Sequence, residues 1–234
     1  MRTHLLSVRV RDGRFAHWPA DPAVVDAHLP AGVGVATYDE RAWLGVVAFV
    51  MEDIRPRGSR VGRTFPEVNL RTYVTRGEES GVYFFSLDAD DRLSVSAARS
   101  AVRAPVLPRA DGRRPRGRPP QTAERTRPPG RAPRTPERLY GRDDDSFVPE
   151  PGSLPAFLTE NDRFYARGTC STRSTRLYRD DIAHEPWRLV PADATVHEES
   201  LFRAAGFESP TGEPLVHVAE PLDVTAGSLA TAEE

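Results

Sequence analysis

Apolar and polar side chains alternate along much of this chain, with the period of two that belongs to half-buried strands. Leu6, Val8 and Val10 alternate with Ser7 and Arg9 and predict a short first strand. The apolar run from Ala42 to Glu52 and the segments Val68 to Arg76 and Val82 to Ala89 predict three more. Between the last two, GEESG (77–81) has turn composition, so they read as a hairpin. Strand-like pieces return around Phe164 to Ala166, Thr175 to Tyr178, Trp187 to Val190, Leu215 to Ala219 and Leu222 to Thr225, ahead of a polar tail over 227–234. Helix signals are fewer and short. Asp21 and Pro22 stand as N-cap and first helical residue before AVVDAHL, which PAG (30–32) ends. Asp90 caps a segment with Leu93, Ala97, Ala98, Ala101 and Val102 on one face. Ser153 caps a short helix through Phe157 and Leu158, and 197–205 read as a helix closed by Gly206. GVGVA (32–36) is a turn into a strand rather than a dinucleotide fingerprint.

The pattern stops between Pro108 and Arg138, where no aliphatic side chain is larger than Ala and no aromatic occurs. Residues 103–142 hold 12 Arg against Asp111, Glu124 and Glu137, while the other 194 residues hold 20 Arg against 31 acids. The formal net charge of -2 is therefore a cancellation between a basic stretch and an acidic body. Three readings of residues 104–138 stand open. They are a disordered surface insert, an out-of-frame stretch of a GC-rich gene, or an electrostatic footprint for nucleic acid or an acidic partner. The missing aromatics weaken the last, because nothing there stacks a base.

All 32 basic residues are Arg, and the chain has no lysine. That excludes a lysine Schiff base, a lysine general base and a Walker-type phosphate loop. Cys170 is the only cysteine, so no intramolecular disulfide forms. The start lacks an apolar stretch of signal-peptide length, and the longest apolar run, Ala42 to Met51, is too short to span a bilayer as a helix. The expectation is a cytoplasmic protein with no membrane partner, with a homo-oligomer left open. The six His have no HxxxH or HxH spacing, so neither a metal nor a cofactor is expected.

Chemistry concentrates in FPEVNLRTYV (65–74). A strand there puts Glu67, Asn69, Arg71 and Tyr73 on one face and Val68, Leu70, Thr72 and Val74 on the other. Lining a cavity, the polar face pairs Arg71 with a carboxylate and offers Glu67 as acid or base. Turned to solvent, it is an ordinary polar face with a weak Glu67–Arg71 pair. In VYFFSLDA, the same alternation sets Tyr83, Phe85 and Leu87 against Phe84, Ser86 and Asp88. Asp88 suits a turn better than a catalytic role. Arg99 either reaches the cavity or favours its own helix end. His17–Trp18 and His184/Trp187 each offer an imidazole beside an indole, in packing or in a site.

The motif order FAHWPADPAVVDAHLPAGVGVATYDERAWLGVVAF, FPEVNLRTYV, GVYFFSLDA, PGSLPAFLTE and HEPWRLVPA resembles the YqjF-like family of uncharacterised conserved proteins, within the acetoacetate-decarboxylase-like superfamily. The resemblance implies one domain over 1–226, interrupted at 104–138. It implies an α+β fold of mostly antiparallel strands in a closed or cone-like barrel with a few short helices. The family's apolar Leu-Pro-Tyr-type strand is missing after the helix near Arg99, and Asn161-Asp162 stands where Arg-Tyr is usual. The superfamily's decarboxylases use a buried lysine, which this chain lacks. The resemblance thus implies a cavity for a small-molecule ligand, with Glu67, Asn69, Arg71, Tyr73, Arg99 and His17 as candidate site residues. Glu67 corresponds loosely to the decarboxylases' glutamate. The alternatives are a lysine-free lyase or hydratase acting on an oxo-acid, and an interaction protein using the basic segment.

Overall fold

The computed structural model describes residues 5–89, 146–169, 175–193 and 199–232. The helix expected after Asp90, Arg99, the basic stretch and Cys170 lie outside them. The strands are β1 (Leu6–Ala20), β2 (Gly34–Val35), β3 (Ala42–Pro56), β4 (Arg63–Arg76), β5 (Glu79–Ala89), β6 (Arg163–Thr169), β7 (Thr175–His184), β8 (Leu189–Ala192), β9 (Leu215–Ala219), β10 (Leu222–Ala226) and β11 (Ala230–Thr231). Among the described residues, three short helices are interspersed: α1 (Pro22–Asp26), α2 (Leu154–Thr159) and α3 (Glu199–Ala204).

Seven strands close on themselves in the order β1-β3-β4-β5-β6-β7-β10, with β10 pairing back onto β1. The β5–β6 pairing is parallel and the others are antiparallel. The long β1 makes the closure. Leu6–Val10 pair with β10, and Gly13–His17 pair with β9, which carries β8 on its far edge. Between these halves the register against β3 shifts from Arg11 to Arg14, and Asp12 takes φ 56°. A bulge of this kind bends the strand and increases its twist, which lets one strand serve two partners.

Each face of the pleat has its own covering. Ala16, Trp18, Leu44, Val46 and Leu70 point outward and pack under α1 and α3 through Val25, Leu201 and Phe202. Trp18 meets Phe202 edge-on at 5.4 Å. The inward positions form two apolar clusters. One gathers Val10, Phe15, Val47, Trp187, Leu189 and Val224. The other gathers Trp43, Tyr73, Val82 and Leu158, with Phe157 and Leu154 of α2 against them. N-caps start both of the first two helices where the sequence places them. Asp21 accepts the Ala23 N–H at 2.8 Å, and Ser153 accepts that of Ala156 at 3.3 Å. Gly206, with φ +87°, ends α3. Among the described residues, no helix is long and apolar enough to cross a membrane.

Several expectations shift. β1 is no short strand; it runs on through the HWP motif, because its second half finds β9 as a partner. Trp187 lies before β8 and packs inside instead of starting a strand. The polar tail contributes β11, whose Ala230 and Thr231 pair with Arg179 and Tyr178. In β5 the strict alternation fails. Phe84 sits opposite Arg71 while Ser86 sits opposite Leu70, so Phe85 is a bulge residue and the two faces exchange beyond it.

The parallel β5–β6 contact depends on Gly81, where a Cβ would lie 2.7 Å from the Arg163 carbonyl oxygen, a backbone atom. Gly81→Ala is expected to destabilise the fold by roughly 1–3 kcal/mol, read as a lower urea midpoint. Gly34→Ala, whose nearest neighbour would be Thr75 Oγ1 at 3.6 Å, serves as the control and is expected to leave the midpoint near that of the parent.

Candidate functional site

The face of β4 bearing Glu67, Asn69, Arg71 and Tyr73 lies inside the barrel and not in solvent. Across the β3–β4 pair, Glu67 stands opposite Phe49, Asn69 opposite Val47 and Arg71 opposite Gly45. Glu67, Asn69 and Tyr73 are buried, Asn69 completely. A row of polar groups out of water persists only where its members are hydrogen-bonded, and these are linked in series. Asn69 Nδ2 donates to Glu67 Oε1 at 3.3 Å, and Arg71 Nε donates to Asn69 Oδ1 at 3.1 Å. The Arg71 guanidinium carbon lies 5.6 Å from the Phe15 ring centre and 5.8 Å from that of Phe84, so the cation is held between two aromatic rings.

His17 joins this row from β1. Its Nε2 lies 2.7 Å from Tyr73 Oη, which is also 2.7 Å from the Leu158 carbonyl oxygen at the end of α2. The carbonyl only accepts, so the Tyr73 hydroxyl donates to it, and His17 Nε2–H donates to the Tyr73 oxygen. The imidazole fits because its neighbour on β3 is Gly45. A Cβ there would come within 2.8 Å of His17 Cδ2 and 3.4 Å of Arg71 Cγ. This position requires glycine for space and not for backbone conformation.

Burial sets the protonation states. It raises the Glu67 pKa to about 7, against the opposing pull of the Asn69 hydrogen bond and the Arg71 charge. Burial, then Arg71, then His217, push His17 well below the usual histidine range, so the ring is neutral. Burial also raises Tyr73, which keeps its proton. Near neutral pH the row therefore holds a cation at Arg71, a carboxyl poised to exchange a proton at Glu67, and a neutral imidazole.

The other sequence candidates scatter. Trp18, next to His17 in sequence, points to the opposite face, as neighbours on a strand must. His17 meets Tyr73 and Phe15 instead. His184 does pack on Trp187, at 5.4 Å. Asp88 pairs in register with Val68. His217 was not singled out by sequence reasoning. It is buried on β9 opposite Phe15, and the alternation in LVHVA was the signal that placed it inward. Beside α2, a hollow of about 530 Å³ is lined by Tyr38, Pro149, Phe157 and Pro186. Its carboxylate, Glu160, is committed to the Trp187 backbone N–H. No group of three or more His, Cys, Asp or Glu suited to a metal ion occurs among the described residues.

Solved structures share this architecture at low identity. An acetoacetate decarboxylase-like enzyme from Sphingomonas wittichii RW1 aligns with TM-score 0.55 and 15% identity, over 99% of this chain and 94% of that one. The enduracididine biosynthesis enzyme MppR complexed with pyruvate aligns with TM-score 0.57 and 12% identity, over 100% and 92%. Acetoacetate decarboxylase from Legionella pneumophila gives 0.53 and 12%, over 97% and 87%. These likenesses establish an acetoacetate-decarboxylase-like fold and leave the chemistry to the site. At the level of sequence, the uncharacterized protein YqjF of Bacillus subtilis (strain 168) is 35% identical over 218 residues, covering 91% of this chain and 86% of that protein. Residues 7–223 match the DUF2071 family, described as an uncharacterized conserved protein. With that match and that identity, the chain belongs to the YqjF-like DUF2071 family of uncharacterized conserved proteins.

Proposed function

We propose that this protein binds a small carboxylic acid inside its barrel, with Arg71 receiving the carboxylate and no covalent bond formed to the ligand. One observation carries the reading. Arg71 is a partly buried guanidinium whose Nε is engaged by Asn69, leaving its two terminal amino groups for a bidentate partner. A cation held between the Phe15 and Phe84 rings gains most from an anion that shares its apolar surroundings. The solved MppR complex with pyruvate supports the reading, since a similar fold there holds a small acid. The absence of lysine supports the non-covalent part, because no amine is available for a Schiff base.

A second reading, a lysine-free lyase or hydratase acting on an oxo-acid, draws on Glu67. A carboxyl whose pKa is about 7 exchanges protons at working pH as a general acid or base does. The basic stretch lies outside the described residues, and nothing in the described fold favours an interaction protein built on it.

Calorimetric titration with three-carbon monocarboxylic acids tests the binding reading. Arg71→Leu is expected to weaken binding by roughly 30-fold or more. Unchanged affinity in that variant removes the β4 face as the site. Gly45→Ala is expected to weaken binding as well while keeping the far-ultraviolet circular dichroism of the parent, because its Cβ displaces His17 and Arg71 together.

The pH dependence has a definite sign. Below about 7, Glu67 is neutral and adds no negative charge beside the bound anion. Above about 7 it ionises and repels it. Affinity is therefore expected to fall as pH rises through about 7, and Glu67→Gln is expected to flatten that slope. Turnover of an oxo-acid that vanishes in Glu67→Gln would favour the enzymatic reading.

A further inference from the structure

The fold buries more hydrogen-bonding capacity than it uses. Among the described residues, His17 Nδ1, His217 Nδ1, Trp43 Nε1 and Ser86 Oγ are buried with no partner. Such groups are costly to leave bare, and each one calls for an explanation. The two imidazole nitrogens belong together. His17 is completely buried, and His217 is 4% exposed. His217 stands opposite Phe15 and Leu215 opposite His17, so the two imidazoles are diagonal neighbours on one inward face of the β1–β9 pair. His17 stacks on Phe15 at 6.3 Å, and the Arg71 guanidinium lies against the same ring at 5.6 Å. Both histidines and the proposed carboxylate-binding cation thus surround a single phenyl group.

The tautomer of His17 follows from its partners. Tyr73 gives its one proton to the Leu158 carbonyl, so His17 must use Nε2–H toward Tyr73. Its Nδ1 is left as a bare lone pair, and the neighbouring Arg71 charge opposes adding a proton to it. No hydrogen bond commits His217 Nδ1 among the described residues, so it is free to carry a proton. An acceptor beside a potential donor is matched by a group that both gives and receives a hydrogen bond. A hydroxyl does this. A ketone oxygen only receives, and it would set its lone pairs against that of His17.

We propose that His17 and His217 are the specificity-determining pair for a hydroxyl next to the ligand's carboxylate, so that the barrel takes a small 2-hydroxy acid in preference to the matching 2-oxo acid. His17 Nδ1 accepts the hydroxyl proton, and His217 Nδ1–H donates to the hydroxyl oxygen. The inference rests on Arg71 as the carboxylate site and names the class of acid that site takes. It also separates this chain from lysine-bearing barrels of the superfamily. A Schiff base needs a carbonyl carbon, whereas a lysine-free site has no use for one.

Lactate, pyruvate and propionate share three carbons and a carboxylate and differ only at the second carbon, which makes them the probes. Lactate is expected to bind roughly tenfold or more tightly than pyruvate, the value of one to two buried hydrogen bonds. His17→Phe and His217→Phe are each expected to bring the lactate-to-pyruvate affinity ratio to about one. A ligand-independent readout uses the unsubstituted full chain labelled with ¹⁵N-histidine. The His17 ring is expected to show the Nε2–H tautomer, and lactate, but not propionate, is expected to shift its Nδ1 resonance. Equal affinities for lactate and pyruvate, or an Nδ1–H tautomer at His17, overturn the inference while Arg71-dependent propionate binding leaves the carboxylate site intact. Failure of all three acids to bind overturns both.

Discussion

The hydrogen bond from Tyr73 Oη to the Leu158 carbonyl is where cap, barrel and candidate site meet. It ties α2 to β4 across 85 positions of sequence, and it uses the hydroxyl's only proton. Everything downstream inherits a direction from it. His17 becomes a donor at Nε2, its other nitrogen becomes an acceptor, and β1 is held in register beside β4 with Gly45 of β3 between them. Removing the cap would release the tautomer as well as expose the apolar end of the interior formed by Trp43, Val82 and Leu158. Structure and chemistry here share one contact.

A second constraint is desolvation. Four polar side chains in succession inside a barrel would be untenable without internal partners. The chain solves this serially, with Asn69 as the adaptor. Its amide donates to a carboxylate on one side and accepts from a guanidinium on the other. Because Asn69 stands between them, Glu67 and Arg71 do not form a direct ion pair. That spacing is what leaves the guanidinium's outer edge uncommitted and lets burial carry Glu67 upward toward neutrality. A direct pair would have held Glu67 ionised and left Arg71 with nothing to offer a ligand.

How much of this was legible depended on whether the information was local. The alternation in FPEVNLRTYV identified the polar row residue by residue, because a pleat has a period of two and β4 keeps it throughout its length. The caps at Asp21 and Ser153 were equally local. Whether that row faced inward was not local, since it depends on closure of the sheet by β10 onto β1. The family resemblance supplied the barrel; periodicity could not. The bulge at Phe85 defeated the alternation in β5, as one extra residue inverts every position beyond it. His217 escaped notice because no spacing links it to His17. The two are 200 positions apart and meet only because β1 divides its pairing between β10 and β9. Arg99 lies outside the described residues, so its candidacy rests on sequence alone.

The charge of the interior limits what it can receive. Arg71 remains a cation at any working pH. His17 is neutral through burial and the Arg71 charge, and burial lowers His217 too. Glu67 is the one group that changes state near neutrality. The row therefore carries a single positive charge when Glu67 is protonated and none when it is ionised. A monoanion brings the protonated site to neutrality, and its negative charge raises Glu67 further, so that binding draws a proton in. A dianion would leave an uncompensated charge against the apolar rings of Phe15 and Phe84, which costs more than one guanidinium returns. The proposed ligand, a small monocarboxylic acid, matches that charge, and the proposed choice among such acids falls to the imidazoles, whose lone pairs distinguish a hydroxyl from a ketone where charge does not.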